Sequence, residues 1–589
     1  MPASLEVFEG GVFSNDYGIA SIRIDGASAH YEVVDNILYT KDGKTAVYVP
    51  SDHKGTIAIK EGVEEIGAYA MGEIRYFDAI SFPSTLKRIG ENAFFYNHML
   101  TSIEIPDSVV EIGESAFDSC DRLSSVKIGS GVVSIGRYAF ADIAASSIEI
   151  PGNVKTIGEN AFFGTRFKTI AFAEGLEEIG DGAFYFLTSS SDDDYGGTYA
   201  SSLSSLTFPS SLKRIGARTF ANHESLSSIR FGAGLEDIGA EAFAGAKPTS
   251  LSVESGGKLA VKDLSLYSSD FKTLFYVSPA KTGDFAMDDR VTKVAPYAAI
   301  RIPFTGISFS SSLVEIGEGA FMNCFDSASD ITLSFPETLA SIGEGAFYMT
   351  KTDAVDFSNA TSLKTIGDSA FEMSYGTGDL AFPGSLASIG KDAFYAAEVT
   401  GVSFAEGLLS IGDRAFFGNK NLGGEVVLPQ SLASLGDAVF GSWGTNTAMG
   451  NEISSLSVAP GSAHFASENN VVYDAAKETA YAIAGLASGK IALPSTLKTI
   501  RPFALADATK VTGFTLPEGL ETIGDYAFSS DVSILKMDIP SSVTYLGDRV
   551  FSSWGVAQKV FLPWSVDYCN SHFMSGWKDN SRAEFVYGE

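Results

Sequence analysis

The residues that most often do chemistry are few and scattered in this sequence. None of the six histidines belongs to an HExxH zinc motif, and the chain has no glycine-rich phosphate loop and no GxSxG elbow. The histidines fall in six different segments, as His30, His53, His98, His223, His464 and His572. Carboxylate pairs occur throughout, and none has an apolar setting. We therefore expect no catalytic site, no metal and no cofactor, and predict that the chain is not an enzyme.

The best candidate for a metal ligand set is Asp192, Asp193 and Asp194. They lie in residues 187–202, LTSSSDDDYGGTYASS, whose small and polar residues are typical of a solvated loop. Calcium ligands normally occupy alternating positions around a glycine turn, and consecutive aspartates do not reproduce that spacing. We interpret the segment as an acidic loop without a metal, with calcium binding as the alternative.

The balance of charge excludes several classes of partner. The formal net charge is −31 and the isoelectric point is near 4.5. Nucleic acid and anionic membrane surfaces are negatively charged, so neither is an expected partner. We interpret the charge as serving solubility, with recruitment of basic partners as the alternative. No apolar run has the length of a membrane helix, so no membrane insertion is expected.

The first residues, MPASLEVFEGG, contain neither the basic stretch nor the apolar stretch of a signal peptide. On that basis we expect either a cytoplasmic protein or a chain that begins here as a mature or trimmed form.

The elements that must position any functional residue are best seen in residues 100–120, LTSIEIPDSVVEIGESAFDSC. Ile103 and Ile105 alternate with Ser102 and Glu104. This alternation predicts a short strand with one buried face.

The rest of this stretch is predicted to turn back onto the same interior. Pro106 ends the strand because it has no N–H to donate. Gly113 indicates a tight bend or a close approach of two backbones. Ala116 and Phe117 are predicted to close the coil in a helical turn, with Phe117 as the large core side chain. One such unit cannot bury its own apolar face, whereas stacked neighbours can.

The unit recurs from about residue 57 to the C-terminus, mostly at intervals of 22 to 24 residues, which is typical of a solenoid. Each copy has a marker residue that precedes a glycine in 16 of 18 copies, and a phenylalanine follows the marker by five residues in 15. The markers are Ile66, Ile89, Ile112, Ile135, Ile157, Ile179, Ile215, Ile238, Val294, Ile316, Ile342, Ile366, Ile389, Ile411, Leu435, Ile500, Ile523 and Leu546. We predict a mostly β, α/β-type repeat solenoid of about 18 units.

Three segments outside the repeat pattern are predicted to form β-hairpins. They are residues 37–49, ILYTKDGKTAVYV, residues 264–277, LSLYSSDFKTLFYV, and residues 471–483, VVYDAAKETAYAI. Asp42-Gly43 in the first is a favoured tight-turn dipeptide. We interpret them as modules that are spliced into the coil and project from one edge. The first also covers the open edge of the sheet.

The predicted organisation follows from these segments. It comprises an N-terminal cap with a β-hairpin (1–56), repeats with the acidic loop (57–249), a hairpin insert (250–290), repeats (291–441), a second insert (442–488), repeats (489–563) and a C-terminal cap (564–589). In the last segment Trp564, Tyr568, Trp577 and Phe585 supply apolar surface for covering the final coil. A ligand platform is the alternative for these aromatic residues.

Cys120 and Cys324 occupy the same repeat position, three residues after the repeat phenylalanine. Other units carry there Asn97, Asn419, Trp443 or Trp554. Seven units separate the two cysteines, which at the spacing of stacked strands is about 34 Å and too far for a disulfide. Together with Cys569, we expect three unpaired and mostly buried thiols. His98 and His223 lie near the same position, where turn residues are expected.

The repeat units resemble the BspA-like (Treponema-type) leucine-rich repeats of bacterial surface proteins, whose consensus is close to LxxIxIPxSVxxIGxxAFxxC. The resemblance covers about residue 19 to residue 589. It includes a terminal segment of the family's SVxxY…GW type, at residues 565–568 and 576–577. The resemblance implies a leucine-rich repeat horseshoe with a parallel sheet on one face, secreted or displayed on a cell. Members of this family are associated with adhesion to host matrix proteins, other bacteria or host receptors.

The outward positions of the predicted strands are the best candidate for a binding surface. They are mostly small or hydroxylic, and only the terminal strand places an aromatic residue there, Phe561. Because sugar-binding faces usually carry aromatic platforms, a protein partner is favoured. A merely solvated face is the alternative. The candidate partner-binding residues are Ser102, Glu104, Ser125, Lys127, Ser147, Glu149 and Arg230.

The residues and the resemblance together predict a non-enzymatic, adhesin-like protein, and the resemblance implies that it is secreted or at the cell surface. Its expected partner is a host matrix protein, a receptor or another bacterial surface protein, bound through the sheet face. One alternative is a glycan-binding accessory protein in which the aromatic inserts Tyr195, Tyr199, Phe271 and Trp443 stack on sugars. Another is an architectural spacer.

Overall fold

The computed structural model describes residues 1–74, 76–188, 200–325, 331–442, 451–573 and 575–588, without the side chains of residues 77 and 78. The described chain consists of short strands and one helix, Val566–His572. It divides into two compact units, Met1–Lys281 and Thr282–Glu589. The predicted mostly β solenoid of stacked coils is confirmed. The aspartates of the acidic loop lie outside the described residues.

Each repeat contributes two strands, which we call the A strand and the B strand. The A strand is the predicted one: in Ser102–Glu104, Ile103 is buried while Ser102 and Glu104 are exposed. The B strand has two residues, the marker and the residue before it, as in Glu111–Ile112. It was not predicted, because two residues are too few to show an alternation.

The A strands of the first unit are Lys54–Ala58, Tyr76–Ser81, Ser102–Glu104, Ser125–Lys127, Ser147–Ile150, Thr169–Phe172, Ser205–Thr207, Ser228–Phe231 and Ser250–Val253. Its B strands are Glu65–Ile66, Arg88–Ile89, Glu111–Ile112, Ser134–Ile135, Thr156–Ile157, Glu178–Ile179, Arg214–Ile215 and Asp237–Ile238.

The A strands of the second unit are Gly283–Ala286, Phe304–Ser308, Thr332–Ser334, Ala354–Asp356, Gly378–Ala381, Val399–Ser403, Gly423–Leu428, Glu452–Val458, Ser488–Ala492, Lys510–Thr515, Lys536–Asp538 and Lys559–Leu562, followed by the terminal strand Glu584–Tyr587. Its B strands are Lys293–Val294, Glu315–Ile316, Ser341–Ile342, Thr365–Ile366, Ser388–Ile389, Ser410–Ile411, Ser434–Leu435, Thr499–Ile500, Thr522–Ile523 and Tyr545–Leu546.

Consecutive B strands pair in parallel and in register. In the first unit they belong to one sheet of eleven strands, in which Ile112 lies between Ile89 and Ile135. The A strands pair in parallel in smaller groups, such as Ser102–Glu104 with Ser125–Lys127. A parallel sheet on one face was expected, and the structure has parallel pairing on two faces of the coil.

The glycine after the marker is required by close backbone packing between coils. A Cβ atom at Gly113 would lie 2.8 Å from the carbonyl carbon of Gly90 in the preceding coil. The backbone N–H of Gly113 donates to the carbonyl of Ile89, also in the preceding coil, at 2.8 Å. From the sequence, Gly113 could serve either a tight bend or a close approach of two backbones. The structure shows the close approach.

The segment after the B strand is not the helical turn that was expected. Ser115 and Ser119 have φ of +49° and +57°, in the left-handed region. The N–H groups of Ser115, Phe117 and Ser119 donate to carbonyls of the next coil, whereas those of Asp118 and Cys120 donate to carbonyls three residues earlier. A helix would keep all of these hydrogen bonds within one coil. Here alternate residues link neighbouring coils instead.

The repeat phenylalanines form columns of nearly parallel rings in the core. The ring centroids of Phe117 lie 4.8 Å from those of Phe94 and 5.0 Å from those of Phe140. In the second unit Phe371 and Phe394 are 5.0 Å apart with an angle of 3° between their planes. Phe117 is fully buried, as its predicted role requires. Each ring therefore packs against the same ring of the coil before and after it.

The position three residues after the repeat phenylalanine supplies a hydrogen-bond donor to the preceding coil. The acceptor is the carbonyl of the residue at the preceding coil's phenylalanine position, which is buried and needs a partner. The donors include Asn97, Cys120, Thr165, His223, Cys324, Thr350, Ser374, Asn419 and Trp554. Asn419 Nδ2, for example, donates to the Phe394 carbonyl at 2.8 Å. Chemically different side chains thus serve one structural purpose.

This role explains the cysteines and one of the histidines. All three cysteines are free and buried, as predicted. Burial raises the pKa of Cys120 and Cys324 to about 12, so their thiols are unreactive. His223 Nε2 lies 2.8 Å from the Phe184 carbonyl, and its Nδ1 lies 2.8 Å from Ser201 Oγ. Burial lowers the pKa of His223 to about 4, so its ring is neutral and structural.

Each predicted hairpin is part of a three-stranded antiparallel meander. The meander strands are Tyr31–Val34, Ile37–Thr40 and Thr45–Tyr48, then Leu259–Lys262, Ser265–Ser268 and Thr273–Val277, then Phe465–Glu468, Val471–Asp474 and Thr479–Ile483. We expected the hairpins to project from one edge of the coil, but the first and third meanders do not. Thr45–Tyr48 pairs in parallel with Glu65–Ile66, and Thr479–Ile483 pairs with Thr499–Ile500. These meanders therefore continue the sheet of B strands.

The two ends of the chain have their own apolar clusters. Tyr31, Leu38 and Tyr48 pack with apolar residues of the first 25 positions. At the other end Trp577 is buried, and its ring lies 5.0 Å from Phe585. The terminal strand Glu584–Tyr587 pairs in parallel with Lys559–Leu562 and so adds a last strand to the A side.

Two fully buried carboxyl groups lie in the second unit. Asp507 Oδ2 accepts the backbone N–H of Ser442 at 3.1 Å and its hydroxyl at 2.7 Å. Asp531 Oδ1 accepts the N–H of Ala508 at 2.9 Å. The other oxygen of each carboxyl has no hydrogen-bond partner among the described residues. Burial raises the pKa of Asp507 to about 6, and burial together with the charge of Asp507 raises the pKa of Asp531.

We expect Gly113→Ala to lower the free energy of unfolding by about 1–3 kcal/mol, because the added methyl group overlaps the backbone of the preceding coil. Thermal unfolding followed by circular dichroism would show a lower Tm. Gly519→Ala is the matched control, since a Cβ there has its nearest neighbour, Ser495 O, at 3.9 Å. An unchanged Tm for Gly113→Ala would contradict the close packing of the coils.

We expect Asp507→Asn to stabilise the chain at pH 7.5, by up to about 3 kcal/mol, and to lose this advantage toward pH 4. The pKa of Asp507 in the folded state, about 6, is above its unfolded value. Its contribution to stability is therefore present at low pH and lost as the pH rises through 6. The measurement is the difference in Tm between variant and wild type from pH 4 to 7.5. Taking the difference removes the opposite effect of His223. A difference that does not change with pH would refute the assignment.

Candidate functional site

The residues predicted to bind a partner lie on four A strands of the first unit. They are the first and third residues of Ser102–Glu104, Ser125–Lys127 and Ser147–Ile150, and the third residue of Ser228–Phe231. All seven side chains are solvent-exposed. They face outward because the residues between them, such as Ile103 and Ile148, are buried in the core. We call this set the A-strand strip.

The strip brings four of these residues into direct register. Ser102 lies beside Ser125, and Glu104 lies beside Lys127. The Lys127 ammonium donates to the Glu104 carboxylate, and this hydrogen bond raises the pKa of Lys127. Both side chains are more than two-thirds exposed, at 72% and 70%. An ion pair this exposed contributes little to stability, so these residues are free to vary.

The strip does not bring all of the residues together. Ser147 and Glu149 are in register with Thr169 and Ala171. Arg230 lies three coils further along, about 14 Å from Glu149 at the spacing of stacked strands. The charged residues therefore form a line and do not converge on one point. Such a line suits an extended partner surface and not a reacting centre.

Small hydroxyl residues continue along the first column of the strip. The first or equivalent residues of seven successive A strands are Ser102, Ser125, Ser147, Thr169, Ser205, Ser228 and Ser250. Because none of these side chains is bulky, they leave the backbone of the strands open to a partner. The column forms a flat polar surface beside the charged one.

A second charged surface, along the B strands of the first unit, was not predicted. Arg88 lies 3.0 Å from Glu65 and 3.4 Å from Glu111, its neighbours in the adjacent coils. These charges neutralise one another. By contrast, Glu149 is exposed and forms no salt bridge with another described residue, so its charge is available to a ligand. Arg230 has an acidic neighbour, because hydrogen bonds from Ser210 and Ala233 and the positive charge of Arg230 together lower the pKa of Glu254. The sequence signal for the charged surface on the B strands is the alternation of acidic and basic residues directly before successive markers, as in Glu65, Arg88 and Glu111.

Aromatic side chains on the turn segments were also missed. Tyr138 and Tyr185 lie on either side of Phe163, with ring centroids 6.3 and 5.5 Å from it. Phe163 and Tyr185 directly follow a repeat phenylalanine, as in AFFG and AFYF, whereas Tyr138 lies two residues before Phe140. The rings contact each other, which leaves mainly their edges for a ligand.

Of the aromatic inserts predicted to stack on sugars, Phe271 packs against Tyr267 at 5.1 Å. Tyr195, Tyr199 and Trp443 lie outside the described residues. The predicted glycan platform therefore stays a prediction.

Within the described residues, no group of three or more His, Cys, Asp or Glu side chains is arranged to hold a metal ion. His98 Nδ1 lies 2.9 Å from Asp121 Oδ1 at the surface, and His223 is buried as described above. No helix in the described part of the chain has the length and apolar character needed to cross a membrane.

Parallel coils that have a short A strand, a two-residue B strand and, in most copies, a buried phenylalanine define a leucine-rich repeat solenoid. The family model described as the BspA type leucine-rich repeat region matches residues 53–142, 92–192, 197–324, 292–423 and 479–581. The chain belongs to this family, as its resemblance to the BspA-like repeats implied.

Solved structures similar to this chain include proteins of several bacteria. A leucine-rich cell surface protein from Faecalibacterium prausnitzii is 19% identical with a TM-score of 0.40, over 72% of this chain and 98% of that one. A leucine-rich repeat protein from Bacteroides ovatus is 18% identical with a TM-score of 0.34, over 95% and 100%. The pneumococcal vaccine antigen PcpA is 16% identical with a TM-score of 0.28, over 95% and 98%. None of the curated proteins compared with the chain matches it.

We expect the charges of the strip to be removable without unfolding the chain. In a variant combining Glu104→Gln, Lys127→Gln, Glu149→Gln and Arg230→Gln, the free energy of unfolding should fall by less than about 1 kcal/mol, since the side chains are exposed. Thermal unfolding measures this. A large loss would show that the strip supports the fold, and it would make the strip unsuitable as an independent binding surface.

Proposed function

We propose that this chain is a non-enzymatic protein, secreted or at the cell surface, that binds a protein partner through the A-strand strip. The partner is a host matrix protein, a host receptor or a surface protein of another bacterium. The observation that carries the proposal is the exposed line of charges of both signs on in-register strands, formed by Glu104, Lys127, Glu149 and Arg230. Membership of the BspA type repeat family supports a role in protein interaction.

The physical basis of binding would be many weak contacts in a fixed geometry. The strands hold successive side chains about 4.8 Å apart, so little conformational entropy is lost when a partner binds. Charges of both signs along the line give orientation and selectivity rather than a large binding energy. The column of small hydroxyl residues beside them accepts and donates hydrogen bonds.

The experiment is a solid-phase binding screen of the purified chain at physiological salt, with matrix proteins, whole bacterial cells and a glycan array side by side. The strip variant described above is compared with wild type. The matched control neutralises two acidic and two basic residues on exposed A-strand positions of the second unit, Glu425, Lys490, Lys536 and Asp538.

Saturable binding to a protein, lost in the strip variant and kept in the control, is the expected result. The interaction should also weaken as the salt concentration rises, because part of it is electrostatic. Equal binding by the strip variant and wild type would move the site away from the strip. Binding to glycans alone would overturn the protein partner, and no binding in any arm would favour an architectural spacer.

A further inference from the structure

A cleft of about 440 Å³ lies in the first unit, between the N-terminal cap and the turn segments of the first repeats. It is lined by Tyr17, Glu73, Ile74, Tyr96, His98 and Met99. Its volume is typical of a site for a small group or side chain. Tyr17, Tyr96 and Met99 remain 40%, 42% and 44% exposed, so three large side chains of the lining are only partly covered.

Among the described residues that line this cleft, Glu73 is acidic, and Tyr17 and Tyr96 supply hydroxyl groups. Glu73 Oε2 accepts the backbone N–H of Asn15 at 2.6 Å, which fixes the carboxylate. His98 Nδ1 lies 2.9 Å from Asp121 Oδ1, so this nitrogen donates to the Asp121 carboxylate. No lysine or arginine is among the described residues that line the cleft.

The tyrosine rings add a surface that attracts positive charge. The Tyr96 ring meets the His98 ring edge to face, with centroids 4.0 Å apart, and this contact helps to hold it in place. The Tyr17 hydroxyl lies near the Glu73 carboxylate, and partial burial together with the negative charge of Glu73 raises the pKa of this hydroxyl. Aromatic faces and a carboxylate together favour a cation. Arg122 lies beside the cleft, where it contacts Met99 Sδ at 3.7 Å.

We propose that this cleft binds a guanidinium group, the arginine side chain of a protein partner. A guanidinium is planar, so it stacks on a tyrosine ring while it donates two hydrogen bonds to the Glu73 carboxylate. A neutral sugar would bring no positive charge to complement the Glu73 carboxylate. The inference deepens the proposed function and rests on it for the protein partner, but it uses none of the residues of the A-strand strip.

The test uses the full chain and a seven-residue glycine–serine peptide with one central arginine. The matched probe carries citrulline, which has nearly the same shape and no charge. Saturation-transfer NMR at physiological salt measures both affinities. We expect the arginine peptide to bind saturably, and the citrulline peptide to bind at least about fivefold more weakly. N-acetylglucosamine and galactose serve as saccharide probes.

Variants test the assignment of the site. Glu73→Gln and Tyr96→Ala should each lower the affinity for the arginine peptide about fivefold or more. Tyr96→Phe keeps the aromatic ring and should retain binding. Tyr545→Ala in the second unit is the matched control, because Tyr545 is also 42% exposed. Thermal unfolding of each variant separates lost binding from lost folding.

The outcomes separate this inference from the proposed function. The strip variant should keep its affinity for the arginine peptide even where it loses a protein partner. Failure to find any partner would leave the peptide result standing by itself. No saturable binding of the arginine peptide, equal binding of the citrulline peptide, or binding of a saccharide alone would each overturn the guanidinium site.

Discussion

The hydrogen bonding of one coil's backbone to the next is the constraint on which the rest of this structure depends. A B strand of two residues cannot be stable alone, and neither can a turn with residues in the left-handed region. Both persist because alternate N–H groups donate to the neighbouring coil, as those of Ser115 and Phe117 do. The spacing that these bonds impose then dictates the side chains. Glycine is needed at Gly113, and phenylalanine rings stack at 4.8 to 5.3 Å through the first five coils that carry them.

The same constraint governs how freely the surface can vary. Inward positions either pack against the same position of the neighbouring coils, which requires an apolar residue, or donate a hydrogen bond to a buried carbonyl, as Asn419 does. Outward positions have no such requirement, and each one lies beside its equivalent in the next coil. The side chain at one outward position therefore interacts with the side chains at the same position in the adjacent coils. Along the B strands this produces a ladder of charges that neutralise one another, whereas Glu149 on the A-strand strip forms no salt bridge with another described residue.

How much the sequence could predict follows from this division. The repeat pattern recurs mostly at intervals of 22 to 24 residues and is therefore visible in the sequence. It allowed us to predict the buried Ile103 and Ile105, and it shows that Cys120 and Cys324 occupy the same repeat position. The exposure of the strip follows from the same alternation. The turn conformation was missed because the residues AF are compatible with a helix, and only hydrogen bonds to other coils exclude it. The cleft could not be predicted, since Tyr17 and Tyr96 are brought together by a cap whose path no repeat pattern encodes.

The strip and the cleft would recognise a partner in different physical ways. On the strip, each exposed contact is weak because water competes for it, so affinity has to come from the number of contacts along the line. In the cleft, one group is surrounded by aromatic rings and a fixed carboxylate, so a single side chain can decide selectivity. The aromatic rows on the turn segments offer neither advantage, because Phe163 and Tyr185 cover each other's faces. A repeat solenoid can therefore combine a long surface of many weak contacts with one enclosed contact near its N-terminal cap, and the first unit of this chain has the geometry for both.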